Sequence, residues 1–596
     1  MSTSVAERVR VGAVAELRSR GCTVISAGGH GIAVFAHDGG FSAVDNRCPH
    51  MGFPLSRGTV RDGLLTCHWH HARFDLDGGG TLDPFADNVR SFQVQVDGDD
   101  VFVLLADAPT TDHGRWLARL EEGLEHGLDF VLAKSTIASL GTGTDPADVL
   151  RTIGKYGLRY RGRGWGMGMT ILTALGSLLP ALAAEDRPLA LFHGAVRVAE
   201  DTAGAQPRFD LEPLPASNVA LDRLKTWFRR AVEVRDEDGA ERVLQTAITG
   251  AASPVELADL LFAAVTDHVY LDAGHVLDFV NKACEYLDLV GWSEAGLVLP
   301  SLVSGLCRAQ RSEEQNAWRN PIDLVELVAP HLDQLARRGP GEARLGADFD
   351  ALVAAILADD PSAGVTAISA AIERGVCFAE VGMAVAHAAA LRVGRFHTSN
   401  EFADWDSVHN TWTSCQALAQ ALHRAPSREL ARGVYHAALR VYLDRFLNIP
   451  AARLPDERPS GSDAARGRAS APRSGSSELP AGGGLLELLD REQQVGPAAT
   501  LVDAEIAAGQ SDAMIRVLAH AVLREDADFH GYQTLEAGVR QFNALRETHP
   551  LAARRTLVAV SRFVAAHAPT SRSLQQTYQI AVRLLRGDDL TVAAED

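Results

Sequence analysis

Two short stretches of this chain carry side chains able to hold a metal: Cys48-Pro49-His50 and Cys67-His68-Trp69-His70. Sixteen residues separate His50 from Cys67, so the whole pattern reads C-x-H-x16-C-x-x-H. Each stretch offers one thiolate and one imidazole. Such a set suits two kinds of centre: a tetrahedral structural zinc, or a binuclear iron–sulfur cluster with the cysteines on one iron and the histidines on the other. The residues around the ligands favour the second. Gly52, Pro54 and Gly58 shape the chain after the first stretch, and Leu64-Leu65-Thr66 forms an apolar strand leading into Cys67. His68 and His71 fall out of register with the pattern and read as neighbours of the centre rather than its ligands.

The run from Arg47 to Pro84 resembles the cluster-binding core of Rieske ferredoxins and Rieske oxygenases. The resemblance implies a [2Fe–2S] cluster held by Cys48, His50, Cys67 and His70, acting as a one-electron relay. It also implies a potential at the low end of the Rieske range. High-potential members carry an extra cysteine in each loop, whereas Phe53 and Trp69 occupy those neighbourhoods here. A hydroxyl after the last histidine would raise the potential through a hydrogen bond to sulfur, but the chain has His71-Ala72 there.

The elements around the two stretches read as strands. Gly31 to Phe35, Ser91 to Val96 and Val101 to Leu104 alternate or run apolar, with turns at His37 to Gly40 and Asp97 to Asp100. From Gly114 onward, Ala and Leu recur at helical spacing, as in Trp116–Leu132, Val219–Val234, Pro254–Leu289, Phe349–Leu357, Val381–Val393 and Asp512–Leu523. The expected fold is multidomain: an N-terminal all-β Rieske domain followed by a large, mostly α-helical domain. The boundaries read as 1–106 for the Rieske domain, 107–113 for a polar linker and 114–454 for a helical catalytic domain. Residues 455–484, rich in Ser, Gly, Pro and Arg, read as a disordered linker, and 485–596 as a helical segment packing on the main helical body.

A relay tied to so much helix invites a search for a second site. His268 and His275, with Asp272 between them, read as one helix face. Phe-His pairs open helical stretches that contain an acid: Phe192-His193 with Glu200, Phe396-His397 with Glu401, and Phe529-His530 with Glu536. His397 and Glu401 stand one helical turn apart. Glu380 with His387, His409 and His436 are further candidates. Together they suggest a second, non-haem iron held inside a helical bundle. Ring-hydroxylating Rieske oxygenases hold such an iron through a local carboxylate–histidine motif. Asp267-His268 with His275 does not reproduce it, so only the relay logic carries over. The middle of the chain distantly resembles helical oxygenases of the questin oxidase kind, through His193-Gly194 and its histidine-bearing helices.

Composition narrows the setting. The chain has 596 residues and a formal charge of 57 − 76 = −19, which argues against nucleic-acid binding. Lysine occurs only at positions 134, 155, 225 and 282. The five cysteines outside the motif are scattered, so no disulfide framework is expected. The first ten residues lack an apolar run, and Met167 to Ala184 reads as a buried helix rather than a membrane span, giving a cytoplasmic protein. No G-x-G-x-x-G follows a strand, so electrons must come from a separate ferredoxin or flavin reductase. These readings combine into a Rieske-dependent oxidoreductase, an oxygenase acting with O2 on a small organic substrate, in which donor and acceptor centres of a homo-oligomer could belong to different copies. The alternative is an electron-transfer or redox-sensing protein whose helices form a docking or metal-free substrate-binding module.

Overall fold

The computed structural model describes residues 7–105, 113–160, 162, 164–215, 219–457 and 483–587. The linker expected at 107–113 and the Ser/Gly/Pro/Arg-rich stretch lie almost wholly outside them. Contacts divide the chain into two units, Met1–Ile153 with Leu574–Asp596, and Gly154–Ser573.

The first unit is built on nine strands: β1 (Glu7–Ala13), β2 (Cys22–Ala27), β3 (His30–His37), β4 (Gly40–Asp45), β5 (Thr59–Arg61), β6 (Leu64–Thr66), β7 (Arg73–Asp75), β8 (Ser91–Asp97) and β9 (Asp100–Leu105). Six of them form an antiparallel sheet in the order β1-β9-β8-β4-β3-β2, and β5-β6-β7 form a second, smaller sheet. The alternation of β3 divides its side chains between two cores. Ile32 and Val34 join Phe92, Val101 and Val103 together with Leu17 of α1 (Val14–Arg20). Ala33 and Phe35 face the other way, onto the core beneath the ligand loops, with Leu55, Leu65, Phe74 and Leu76. The three strands expected from alternation are present, and the tight returns between them carry Gly40 and Gly98 at positive φ.

The all-β region does not end this unit. Helices α2 (His113–His126) and α3 (Asp129–Gly141) belong to it, as does the chain from Leu574. Grouping by contacts thus places α2, α3 and the chain from Leu574 with the strands, beside the reading of 106–114 as a boundary and of 485–596 as part of the helical body. The helical texture read over 116–132 is broken at Gly127, which takes φ +60°, while the Leu128 N–H bonds back to the Gly123 carbonyl at 2.9 Å. This closure folds α3 back along α2, with Gly123 in the seat of Leu132 and Val131.

The second unit is helical. The helix Met167–Leu178 is buried in it, and among the described residues no helix is long and apolar enough to cross a membrane. The expected run 254–289 is split. One helix ends at Val265 and the next, His275–Val290, begins after Tyr270, Asp272 and Ala273, all left-handed. None of these is a glycine, so the period-3.6 pattern gives no warning of the break. Helices His275–Val290, Asp404–Arg424 and Phe529–Leu545 are tied together by a set of charged and polar side chains. Lys282 bonds Glu285 and Glu536 at 2.8 and 2.7 Å, Arg540 pairs with Glu536, and Asn281 donates to Glu285 and to Gln420.

In the first unit, Gly79 holds φ +75°, and a β-carbon there would lie 2.1 Å from the Val89 carbonyl oxygen. Gly79→Ala is therefore expected to destabilise this unit by about 1 kcal/mol or more, read as an earlier loss of the visible cluster absorption in a urea titration.

Candidate metal centre

The four ligands of the motif come from two loops with the same closure. In the first, between β4 and β5, the Gly52 N–H bonds the Cys48 carbonyl at 2.7 Å and the Cys48 N–H bonds the Phe53 carbonyl at 2.9 Å. In the second, between β6 and β7, the His71 N–H bonds the Cys67 carbonyl at 3.0 Å and the Cys67 N–H bonds the Ala72 carbonyl at 2.8 Å. The residue four places after each cysteine lies in the left-handed region, Gly52 at φ +81° and His71 at +61°. His71 thus has a backbone task. His68 bonds Thr59 through Nε2 at 2.5 Å, and Trp69 packs against the His70 ring.

The loops bring His50 and His70 together, ring centroids 4.8 Å apart and nearly perpendicular. Both cysteines are buried, and each sulfur accepts two backbone N–H groups: His50 and Met51 donate to Cys48, Trp69 and His70 to Cys67. Four amide dipoles thus face the place where thiolate charge must sit. The sulfurs also hydrogen-bond to each other, which pulls the Cys67 thiol down to about 6 and pushes Cys48 up. Burial, with His70 and Lys134 nearby, lowers His50 to about 4, so its imidazole is neutral, the form that ligates metal. His50 Nδ1 is buried with no hydrogen-bond partner, as a ligating nitrogen would be. Among the described residues no three His, Cys, Asp or Glu side chains converge on a single metal point. A centre drawing two side chains to each of two irons, with sulfide completing both, needs no such triple. The residues fit a [2Fe–2S] group, which would supply reversible one-electron chemistry here.

The exposure of the two imidazoles is unequal. His50 is covered by Phe85 at 5.0 Å and by Phe130 of α3 at 5.9 Å, both edge-on, whereas His70 is exposed beside the half-exposed Trp69. The ligand set is therefore open on the His70 side and walled on the His50 side.

An antiparallel β domain with two matched loops, each giving one cysteine and one histidine, defines an iron–sulfur electron carrier. The Rieske [2Fe–2S] domain family matches residues 7–93, and the chain belongs to this family through that domain. It is 34% identical over 98 residues to the ferredoxin component of the alkene monooxygenase system of Xanthobacter autotrophicus, spanning 16% of this chain and 80% of that protein. It is 36% identical over 77 residues to human apoptosis-inducing factor 3, covering 13% of each chain. Among solved structures, the ferredoxin of carbazole 1,9a-dioxygenase from Nocardioides aromaticivorans aligns at 26% identity over 17% of this chain and all of that one, with a TM-score of 0.16. By its sequence relatives the domain is homologous to ferredoxin components of oxygenase systems, which supports a role in electron transfer.

The histidines proposed from sequence for a second site are not brought together as expected. His268 lies in a bend, not on a helix, and bonds Glu313 and Glu233. Asp272 is left-handed and exposed, and His275 opens the next helix with Nδ1 on the Asp272 carbonyl, so the three share no helix face. His397 and Glu401 lie in a loop, where His397 bonds Ser399. His193 sits within Arg187–Thr202 rather than opening it, fully buried, with Nδ1 on the Tyr532 hydroxyl at 2.6 Å.

A different group forms instead. His409 and His530 lie with ring centroids 4.5 Å apart, and His275 and His567 approach closely enough to lower the basicity of His409. Burial is the main cause of that lowering, and it lowers His530 as well. His409 Nε2 and His530 Nδ1 are both buried without a partner. His409 and His530 were visible as candidates in the sequence. His567 was not, because it closes a helix of ordinary amphipathic texture.

Removing His50 or His70 by alanine substitution should abolish the [2Fe–2S] absorption and its reduced-state EPR signal. His68→Ala and His71→Gly should keep both, with the full complement of iron and acid-labile sulfide.

Proposed function

We propose that this chain is a Rieske-dependent oxidoreductase of the cytoplasm. Its N-terminal centre takes single electrons from a ferredoxin or flavin reductase and delivers them to an acceptor in the helical unit. That acceptor is a non-haem iron held among His409, His530, His275 and His567, serving O2-dependent oxidation of a small organic substrate. The observation that carries the reading is the pair of orphaned nitrogens, His409 Nε2 and His530 Nδ1, buried side by side. Buried polar atoms in native proteins are nearly always partnered, and two unpartnered imidazole nitrogens on rings 4.5 Å apart suit a metal better than a plain core. The resemblance of the N-terminal domain to a ferredoxin component of a monooxygenase system supports the electron-carrying half. His268, His397, Glu401 and Asp272 are not gathered with these histidines, and His193, whose Nε2 is also buried without a partner, is tied to Tyr532 instead.

A second reading has an observation of its own. Since no three donors converge on one point among the described residues, a metal-free helical unit serving a pure electron carrier fits the side chains as they stand. Iron and acid-labile sulfide, counted per chain on anaerobically prepared protein, separate the two. More than two irons with two sulfides, the excess lost in His409→Gln and His530→Gln while the Rieske spectrum persists, is the expected result. Two irons with two sulfides in the parent protein would overturn the first reading and leave the electron carrier.

A further inference from the structure

Lys134 is one of only four lysines in the chain, and it is 1% exposed. Its ammonium donates to the Pro49 carbonyl at 3.0 Å, between the ligands Cys48 and His50, and to the Asp87 carboxylate. It also lies 5.1 Å from the centroid of the Phe130 ring, which in turn packs edge-on to His50. An ammonium is expensive to bury and is normally balanced by a carboxylate of its own. Here the carboxylate is shared. Asp87 also accepts from Arg119 Nε at 2.8 Å, and the same guanidinium reaches the Pro84 and Ala86 carbonyls. Asp87 and Arg119 are nearly buried, and Glu122, the other partner of Arg119, has 43% of its side chain exposed. Lys134 therefore has only a shared carboxylate, and its ammonium beside Cys48 is incompletely balanced.

We propose that the α2–α3 hairpin is a redox clamp, in which Lys134 acts as a positioning residue that biases the [2Fe–2S] centre toward its reduced state. Two effects run in the same direction. By ligand counting, the oxidised centre with two thiolates and two neutral imidazoles carries about zero net charge, and the reduced one about one negative charge. A cation fixed in a poorly screened position stabilises the more negative state. The second effect passes through the peptide Pro49–His50. Its carbonyl accepts from Lys134 while its N–H donates to the Cys48 sulfur. Polarising the carbonyl makes that N–H a stronger donor, and hydrogen bonds to cluster sulfur raise the potential. The step itself is one electron from the donor onto the cluster, with no proton moved by Lys134. Phe130 closes the His50 side of the centre, so exchange is left to the His70 side. The bias works against the low potential read from the ligand loops alone, because it enters from helices that follow the β domain in sequence.

The test is an equilibrium redox titration of the full-length holoprotein, followed by visible circular dichroism and by EPR of the dithionite-reduced state. Lys134→Met, which removes the charge and keeps the length, should weaken the preference for the reduced state about tenfold, a fall of about 59 mV for a one-electron couple. Lys134→Arg should hold the midpoint close to that of the parent, and Asp87→Asn, which strips the shared anion, should raise it. An unchanged midpoint in Lys134→Met with intact cluster spectra overturns the proposal. Should Lys134→Met fail to assemble the cluster, Asp87→Asn decides: a midpoint that rises supports the clamp, and one that falls or stays put refutes it.

Discussion

The first unit depends on one constraint: each of two loops must surrender a thiolate and an imidazole to a common centre and still return to its sheet within a few residues. Both loops meet it with the same backbone closure. An N–H four places on reaches back to the cysteine carbonyl, and the cysteine N–H reaches forward to the carbonyl five places on. That closure aims further amides at sulfur and puts a residue in the left-handed region, where one loop has glycine and the other tolerates histidine. The small sheet β5-β6-β7 and the core of Leu55, Leu65, Phe74 and Leu76 fix the spacing of the loops. The histidines differ by one position, at two and three places after their cysteines, and they also differ in exposure, with one walled by Phe85 and Phe130 and the other open.

The helical unit obeys a different rule. Its central helices bury Lys282, Glu285 and Glu536 and set the half-buried Arg540 against both carboxylates, two charges of each sign in contact. Removing any one member would leave an uncompensated charge in the core. Asp278 stands beside this balanced set without a cation of its own, and burial pushes its carboxyl up to about 7, with Gln533 as its hydrogen-bond donor. Near the beginnings of three of these helices stand His275, His409 and His530.

The cluster motif and the strand alternation were legible because their signals are local: ligand spacing, turn glycines, and the parity of β3, whose Ala33 and Phe35 face one core and Ile32 and Val34 another. Helical texture was legible for the same reason. Its breaks were not, since Tyr270, Asp272 and Ala273 are poor advertisements for left-handed backbone. That break undid the expected face of His268, Asp272 and His275. Which histidines meet depends on how distant helices pack, and His409 and His530 stand 121 positions apart in the sequence (530 − 409). Lysine usage did hold a usable hint. In a chain whose basic residues are nearly all arginine, two of four lysines, Lys134 and Lys282, prove to be its buried ammonium groups.

The sharing of Asp87 by Lys134 and Arg119 bears on modularity. By strand pattern alone a ferredoxin finishes at the last strand, and gene fusion would then have joined a self-sufficient cassette to foreign helices. The cassette is larger than that. A fragment cut after Leu105 would retain every ligand and the nine strands of this unit, yet leave Asp87 without either of its cations and the Pro49 carbonyl without its ammonium. The compact unit that carries the ligands is the β domain together with α2, α3 and the chain from Leu574, so the last strand is not its edge.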